Sequence, residues 1–191
     1  MKKCCIILAE GFEEIEAISI IDVLRRGKVI CDIFYMKEKI VTGAHNIKIT
    51  AEMRIEDLLV DLYDGIILPG GMPGAKNLKE DAWVIETLKS FDNENKLIAA
   101  ICAAPIVLEK AGLLTGRKIT SFPSFKDEFK DSIYVEDLVV KDGNIITSRG
   151  PSTAILFALQ ILKTLGSGII ALELRNSMLV DMALNSNKAQ E

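Results

Sequence analysis

Residues 97–105 read Leu97-Ile98-Ala99-Ala100-Ile101-Cys102-Ala103-Ala104-Pro105. The first five are apolar, the length of a strand buried on both faces. One residue, Cys102, separates that strand from a helix predicted over Ala104 to Ala111, with Gly112 as its stop. A strand, one residue and a helix make a sharp turn, and small Ala103 and Ala104 let the backbone take it. The side chain at such a turn is held up at the sheet's edge, as in the nucleophile elbow of hydrolases. The following helix N-terminus predicts a stabilised thiolate with a lowered pKa. The competing reading is a buried, inert cysteine.

Working outward, strand-like and helix-like segments alternate. Lys3 to Ala9 is an apolar run, and Glu14 to Arg26 carries Ile15, Ile18, Ile21 and Leu24 at helical spacing with a basic end. Val29 to Met36 reads as a strand and Ile47 to Met53 as an extended piece. Gly65 to Leu68 is a short strand running into the loop Pro69-Gly70-Gly71-Met72-Pro73-Gly74. Asp81 caps a helix reaching about Asn93. Leu138–Lys141 and Ile145–Ser148 form a predicted hairpin with a type I′ turn at Asp142-Gly143. Pro151 opens a helix over Ser152 to Thr164, and a last helix begins near Ser167. This alternation predicts an α/β fold with a mostly parallel sheet covered on both faces. No repeat or linker divides residues 1–191, so one domain is expected. In such a sheet, sites form beyond the carboxyl ends of the strands. That places interest in the loops after Ala9 and Leu68 and at Cys102.

Composition narrows the chemistry. Lys plus Arg is 23 against 27 Asp plus Glu, a net charge of −4, and no basic stripe appears, so a nucleic-acid groove is not expected. No apolar run is long enough to span a bilayer. The first strand runs into Glu10-Gly11-Phe12-Glu13-Glu14 without a small-residue cleavage site, unlike a signal peptide. Adjacent Cys4 and Cys5 point to opposite faces of a strand and suit each other poorly as a disulfide pair. Free thiols and a reducing, cytoplasmic compartment are therefore expected. Cys4, Cys5 and Cys31 lie within predicted strands, which leaves Cys102 as the reactive thiol. His45 is the only histidine, so no site can draw two imidazoles from one chain. It sits in the polar turn Thr42-Gly43-Ala44-His45-Asn46 and reads as a surface residue.

The glycine loop after Leu68 lacks the Lys-Ser/Thr ending of a phosphate-binding loop and the G-x-G-x-x-G spacing of a dinucleotide fold. Its glycines allow close approach of backbone N–H groups to an anion, and an oxyanion pocket beside Cys102 fits better. Glu13, Glu14 and Glu16 occupy a helix's first turn, where capping is the ordinary role. Glu16 lies deeper, between Ile15, Ala17 and Ile18. A carboxyl buried there has a raised pKa and is a candidate proton donor. Ser148-Arg149-Gly150-Pro151 closes a strand and opens a helix, so it too reaches the carboxyl-end crevice.

Together these segments resemble the ThiJ/PfpI superfamily, nearest to its branch of parkinsonism-associated deglycases and bacterial ThiJ relatives. The resemblance runs through Ala9-Glu10-Gly11-Phe12-Glu13-Glu14-Ile15-Glu16, Asp22-Val23-Leu24-Arg25-Arg26, Leu68-Pro69-Gly70-Gly71, Ala99-Ala100-Ile101-Cys102-Ala103-Ala104-Pro105, Lys141-Asp142-Gly143 and Thr147-Ser148-Arg149-Gly150-Pro151. It implies a flavodoxin-like three-layer sandwich of the class I glutamine amidotransferase type, usually a homodimer. It implies Cys102 as nucleophile and a protonated Glu16 hydrogen-bonded to it. It also implies an oxyanion and substrate pocket from the amides of Gly71 and Ala103, with Gly70 beside them, Pro151 lining the site and Arg26 near a dimer interface. No cofactor or metal is implied.

Two departures matter. Peptidase-type members carry a histidine after the cysteine, where this chain has Ala103. Deglycase-type members often place one before a proline in a later loop, where Thr120-Ser121-Phe122-Pro123 puts Phe122. A Cys–His peptidase or amidase mechanism is disfavoured accordingly. The resemblance implies glyoxalase- or deglycase-like action on α-oxoaldehydes or glycated protein in carbonyl and oxidative stress. The alternative it leaves is a redox sensor or redox-dependent chaperone acting through oxidation of Cys102.

Overall fold

The computed structural model describes residues 1–185. The N-terminal apolar run forms strand β1 (Lys3–Leu8), followed by helix α1 (Glu14–Arg26) and strand β2 (Ile30–Tyr35). Three short strands come next, β3 (Ile40–Thr42), β4 (Lys48–Thr50) and β5 (Met53–Arg54), then β6 (Gly65–Leu68). Helices α2 (Gly74–Glu80) and α3 (Ala82–Asn93) lead to β7 (Leu97–Ile101) and α4 (Pro105–Lys110). Strands β8 (Lys118–Ile119), β9 (Ile133–Tyr134), β10 (Val139–Asp142) and β11 (Ile145–Ser148) precede α5 (Ala154–Thr164), α6 (Gly168–Ser177) and α7 (Val180–Asn185).

Seven strands make the central sheet in the order β10-β11-β7-β6-β1-β2-β5, and every neighbouring pair is parallel except β10 with β11. The two-residue period of the strands sorts their apolar side chains into two cores. Cys4, Ile6, Leu8, Ile67, Ala99 and Ile101 face α1 and α5, whereas Cys5, Ile7, Ile66, Leu68, Ile98 and Ala100 face the side of α3 and α4. The result is the flavodoxin-like three-layer α/β arrangement. β1 has β2 on one side and β6 on the other, so the chain reverses its direction of winding there. That reversal opens a crevice at the strands' carboxyl ends. Cys4 and Cys5 lie on opposite faces, and all four cysteines are free.

Several local expectations are corrected. The hairpin's two central residues are Gly143 and Asn144, because Asp142 pairs with Ile145. Of these only Gly143 has a positive φ (58°), the pattern of a type II′ rather than a type I′ turn. The piece expected over Ile47 to Met53 splits into β4, which pairs with β3, and β5, which joins the main sheet. The last helix is broken in two by Leu179 in the left-handed conformation (φ 57°). Helix α2 follows the glycine loop without having been signalled. Among the described residues no helix is long and apolar enough to cross a membrane.

Candidate active site

The elbow forms as its sequence implies. Cys102 has φ 63°, a conformation that costs a non-glycine residue about 1–2 kcal/mol. Two long-range hydrogen bonds hold it there. Its N–H donates to the Ser148 carbonyl at 2.9 Å, and its carbonyl accepts from the Phe122 N–H at 2.9 Å. Ala103 and Ala104 are buried, and α4 starts only at Pro105. Cys102 itself is 9% exposed, whereas Cys4, Cys5 and Cys31 are 0–1% exposed.

Glu16 comes from the opposite side of the crevice. Glu13 is the N-cap of α1, and its Oε2 accepts the Glu16 N–H at 2.7 Å, so capping places the next turn's carboxyl. The Glu16 side chain is fully buried, and its Oε2 accepts the Gly70 N–H at 2.7 Å. Oε1 is buried and makes no well-formed hydrogen bond, although the Cys102 side chain lies near enough for each group to shift the other's ionisation. Burial pushes the Glu16 carboxyl up to about 7, further helped by Glu13 and opposed by the Gly70 amide and the Cys102 side chain.

The thiol departs from the sequence expectation of a lowered pKa. Burial first, then the negative charge of the adjacent Glu16 carboxylate, push Cys102 well above the ordinary thiol range. The backbone N–H groups of Ala103 and Gly71 pull in the other direction, favouring the ionised sulfur, but do not outweigh burial. The two groups therefore titrate as a pair, releasing one proton near neutrality and holding the second to far higher pH.

Gly70 and Gly71 are there for space and conformation. A Cβ on Gly70 would lie 2.7 Å from Cys102 Cβ, 2.8 Å from Glu16 Oε2 and 2.9 Å from the Ile101 carbonyl oxygen. Gly71 has φ 89°, and a Cβ on it would meet the Glu13 nitrogen at 2.4 Å. The loops after β1 and β6 are zipped together by Glu13 N–H to the Gly70 carbonyl at 2.9 Å. Gly70→Ala is expected to destabilise the fold by about 1–3 kcal/mol, since backbone as well as side chains must give way. Urea unfolding checks it, and an unchanged midpoint would contradict this packing.

The structure thus brings Cys102, Glu16, Gly70, Gly71 and Ala103 together. Pro151 opens a single 3-10 turn (Pro151–Thr153) ahead of α5, beside Gly150 and three residues beyond Ser148. Arg26 is not brought to this cluster. It is ten residues along α1 from Glu16, about 15 Å of helix, and its Nε donates to Asp22 Oδ2 at 2.7 Å on the surface. His45 is exposed as expected, yet it has a specific partner: its Nδ1 lies 2.8 Å from Glu14 Oε2, and its backbone N–H donates to Glu14 Oε1 at 2.6 Å. Burial of Glu14 opposes ionisation, but these bonds from His45 hold its carboxyl below the ordinary range, and Glu14 in turn raises the imidazole. That pair, the Ser148 carbonyl and the Phe122 amide have no sequence signal, because each depends on groups that only folding makes neighbours. A cavity of about 540 Å³ also lies over the ends of β1 and β2, lined in part by Ala9, Met36, Lys37, Val41 and Asn77, and none of the cluster residues lines it.

Residues 2–164 match the DJ-1/PfpI family. The chain is 39% identical over 182 residues to Protein dj-1beta of Drosophila melanogaster, covering 94% of this chain and 97% of that protein. It is 36% identical over 184 residues to the Parkinson disease protein 7 homolog of Danio rerio, covering 94% and 97%. Its fold superposes on the crystal structure of Drosophila melanogaster DJ-1beta with a TM-score of 0.90, covering 93% of this chain and 97% of that one. The oxidized form of Toxoplasma gondii DJ-1 also gives 0.90, at 37% identity, covering 94% and 98%. With a strained cysteine elbow facing a buried glutamate, and with likeness of this extent in both sequence and fold, the chain belongs to the DJ-1/PfpI family.

Proposed function

We propose that the protein is a cofactor-independent enzyme that uses Cys102 and Glu16 on α-oxoaldehydes or their early glycation adducts. The observation that carries this reading is the buried Glu16 carboxyl, raised to about 7, against a cysteine whose sulfur is faced by two backbone amides. A carboxyl with that pKa can take and return protons at neutral pH. For methylglyoxal the sulfur adds to the aldehyde carbon while Glu16 accepts the thiol proton. The new oxyanion is stabilised by the Gly71 and Ala103 N–H groups and then takes that proton, giving a hemithioacetal. Ionised Glu16 removes the hydrogen on the former aldehyde carbon as a proton and delivers it to the neighbouring carbon, while the hydroxyl proton of the hemithioacetal passes to the ketone oxygen. The aldehyde carbon is oxidised and the ketone carbon reduced within one molecule, leaving a thioester. Water cleaves the thioester, so methylglyoxal plus water becomes lactate and the thiol is regenerated. Early glycation adducts would enter at the same sulfur addition. The test is lactate formation from methylglyoxal by the purified chain, and its absence would overturn the reading.

A redox-sensing role is favoured by a different observation, the exposure ranking of the four thiols. Cys102 is the most exposed of the four cysteines, and oxygen atoms added to it would be met by the Gly71 and Ala103 amides. After mild peroxide, mass spectrometry is expected to find sulfinate on Cys102 ahead of Cys4, Cys5 and Cys31. Oxidation spread evenly over the four would sink the sensor reading. A Cys–His peptidase has no support, since the single imidazole is engaged with Glu14.

A further inference from the structure

We infer that Phe122 sets the substrate class of this site: its ring is the apolar wall for the non-reacting part of the substrate, so electrophiles carrying an aryl or branched alkyl group are preferred over small polar ones. The inference rests on Cys102 being the reactive atom and deepens that reading. Large apolar side chains exposed singly are common and carry no meaning by themselves. Phe122 differs through its place. Its backbone N–H is bonded to the Cys102 carbonyl, so its Cα is fixed one hydrogen bond from the nucleophile. Its ring then crosses to the other loop that holds Cys102. A Cβ on Gly150 would sit 3.4 Å from Phe122 Cδ2 and 3.9 Å from Cε2, and Gly150 lies two residues beyond the Ser148 carbonyl that accepts the Cys102 N–H.

The ring is nonetheless 42% exposed, so part of it is open to a ligand. Its surroundings offer few polar alternatives. The neighbouring Ser121 hydroxyl is engaged with the Phe122 carbonyl and the Tyr134 hydroxyl. Pro123 and Pro151 bring no N–H. The groups that dominate the ionisation of the sulfur are Glu16 and two backbone amides, none of them a cation. A neutral apolar substituent covers the ring; a small hydrated one such as the second carbonyl of glyoxal leaves it in water. An aromatic pair is worth roughly a two- to tenfold preference.

The test compares alkylation of Cys102 by N-phenylmaleimide and N-ethylmaleimide. In both the sulfur adds across the carbon–carbon double bond and solvent supplies the proton to the adjacent carbon. Rates are read by peptide mass spectrometry, and the phenyl-to-ethyl ratio is divided by the same ratio for glutathione. The normalised ratio is expected to be about two to ten in the wild type, to be retained in Phe122→Tyr and to fall to one in Phe122→Ala. A ratio near one in the wild type overturns the inference, as does an unchanged ratio in Phe122→Ala or its loss in Phe122→Tyr. The wild-type comparison needs no variant, so a folding defect cannot shelter the claim. Alkylation needs no turnover, which separates the two readings. Selective alkylation without lactate formation removes the enzyme and keeps Phe122; lactate formation with a ratio of one does the reverse.

Discussion

Cys102→Ser is expected to lower lactate formation from methylglyoxal by at least about a thousandfold, the scale on which removal of a covalent nucleophile acts. The reason is specific to this site. Sulfur is the stronger nucleophile of the two, and a carboxyl near 7 is far too weak a base to make up for its loss by ionising a serine hydroxyl. The remaining cysteines offer no substitute, because Cys4, Cys5 and Cys31 are 0–1% exposed inside the sheet. Lactate is the quantity to follow, since the 23 lysine and arginine side chains also consume aldehyde by simple adduct formation. The serine keeps both backbone hydrogen bonds of the elbow, so unfolding free energy should change by no more than about 1 kcal/mol. A well-folded serine variant that makes lactate at the wild-type rate would eliminate Cys102 as nucleophile.

Glu16→Gln is expected to act on activity and on stability in opposite directions. Its loss as a proton carrier should lower turnover by about a hundred- to ten-thousandfold. In the wild type, the reactive state of the pair holds one proton, so kcat/KM should rise with pH up to about 7 and then level off. That midpoint disappears in the glutamine variant. A pH profile that keeps its midpoint near 7 without Glu16 would show that another group sets it.

For stability the sign follows from the raised folded-state value. The carboxyl's pKa is about 7 in the fold against 4.5 ordinarily, so its favourable contribution is complete below about 4.5 and is lost as pH rises through 7. The loss is on the order of 3 kcal/mol, from 2.5 pH units at 1.36 kcal/mol each. Glutamine cannot ionise, and its amide oxygen can still accept the Gly70 N–H. The variant should therefore be more stable than the wild type at pH 8 and should lose that advantage at pH 5, as read by denaturant unfolding. Equal pH slopes for the two proteins would contradict the burial of an ionisable Glu16.

Much of the candidate site was legible because its signals are local. The residues from Leu97 to Pro105 encode the elbow by size and apolarity alone, and the glycine loop declares its backbone freedom in its composition. What was misjudged involved balance between distant groups. The helix after Cys102 argues for a lowered thiol pKa, but burial and the Glu16 carboxyl, delivered from the first turn of α1, outweigh the amides. Arg26 shares helix α1 with Glu16, but helical rise carries it ten residues along the helix and away from the sulfur. His45 looked idle because nothing near it in sequence announces Glu14.

By itself, then, the chain of residues determined the alternation of strands and helices, the parallel sheet, the sharp turn at Cys102 and the limit of one imidazole, all of which follow from spacing and residue type. Only the tertiary structure decided that Glu16 meets Cys102, that Gly70 must be bare so that they can, and that Phe122, bonded through its N–H to Cys102, lays its ring against Gly150. Local sequence sets what each segment prefers, whereas the ionisation of a buried group is set by desolvation and by charges a few ångströms away. Those neighbours come from segments tens of residues apart, and only the packed fold brings them together.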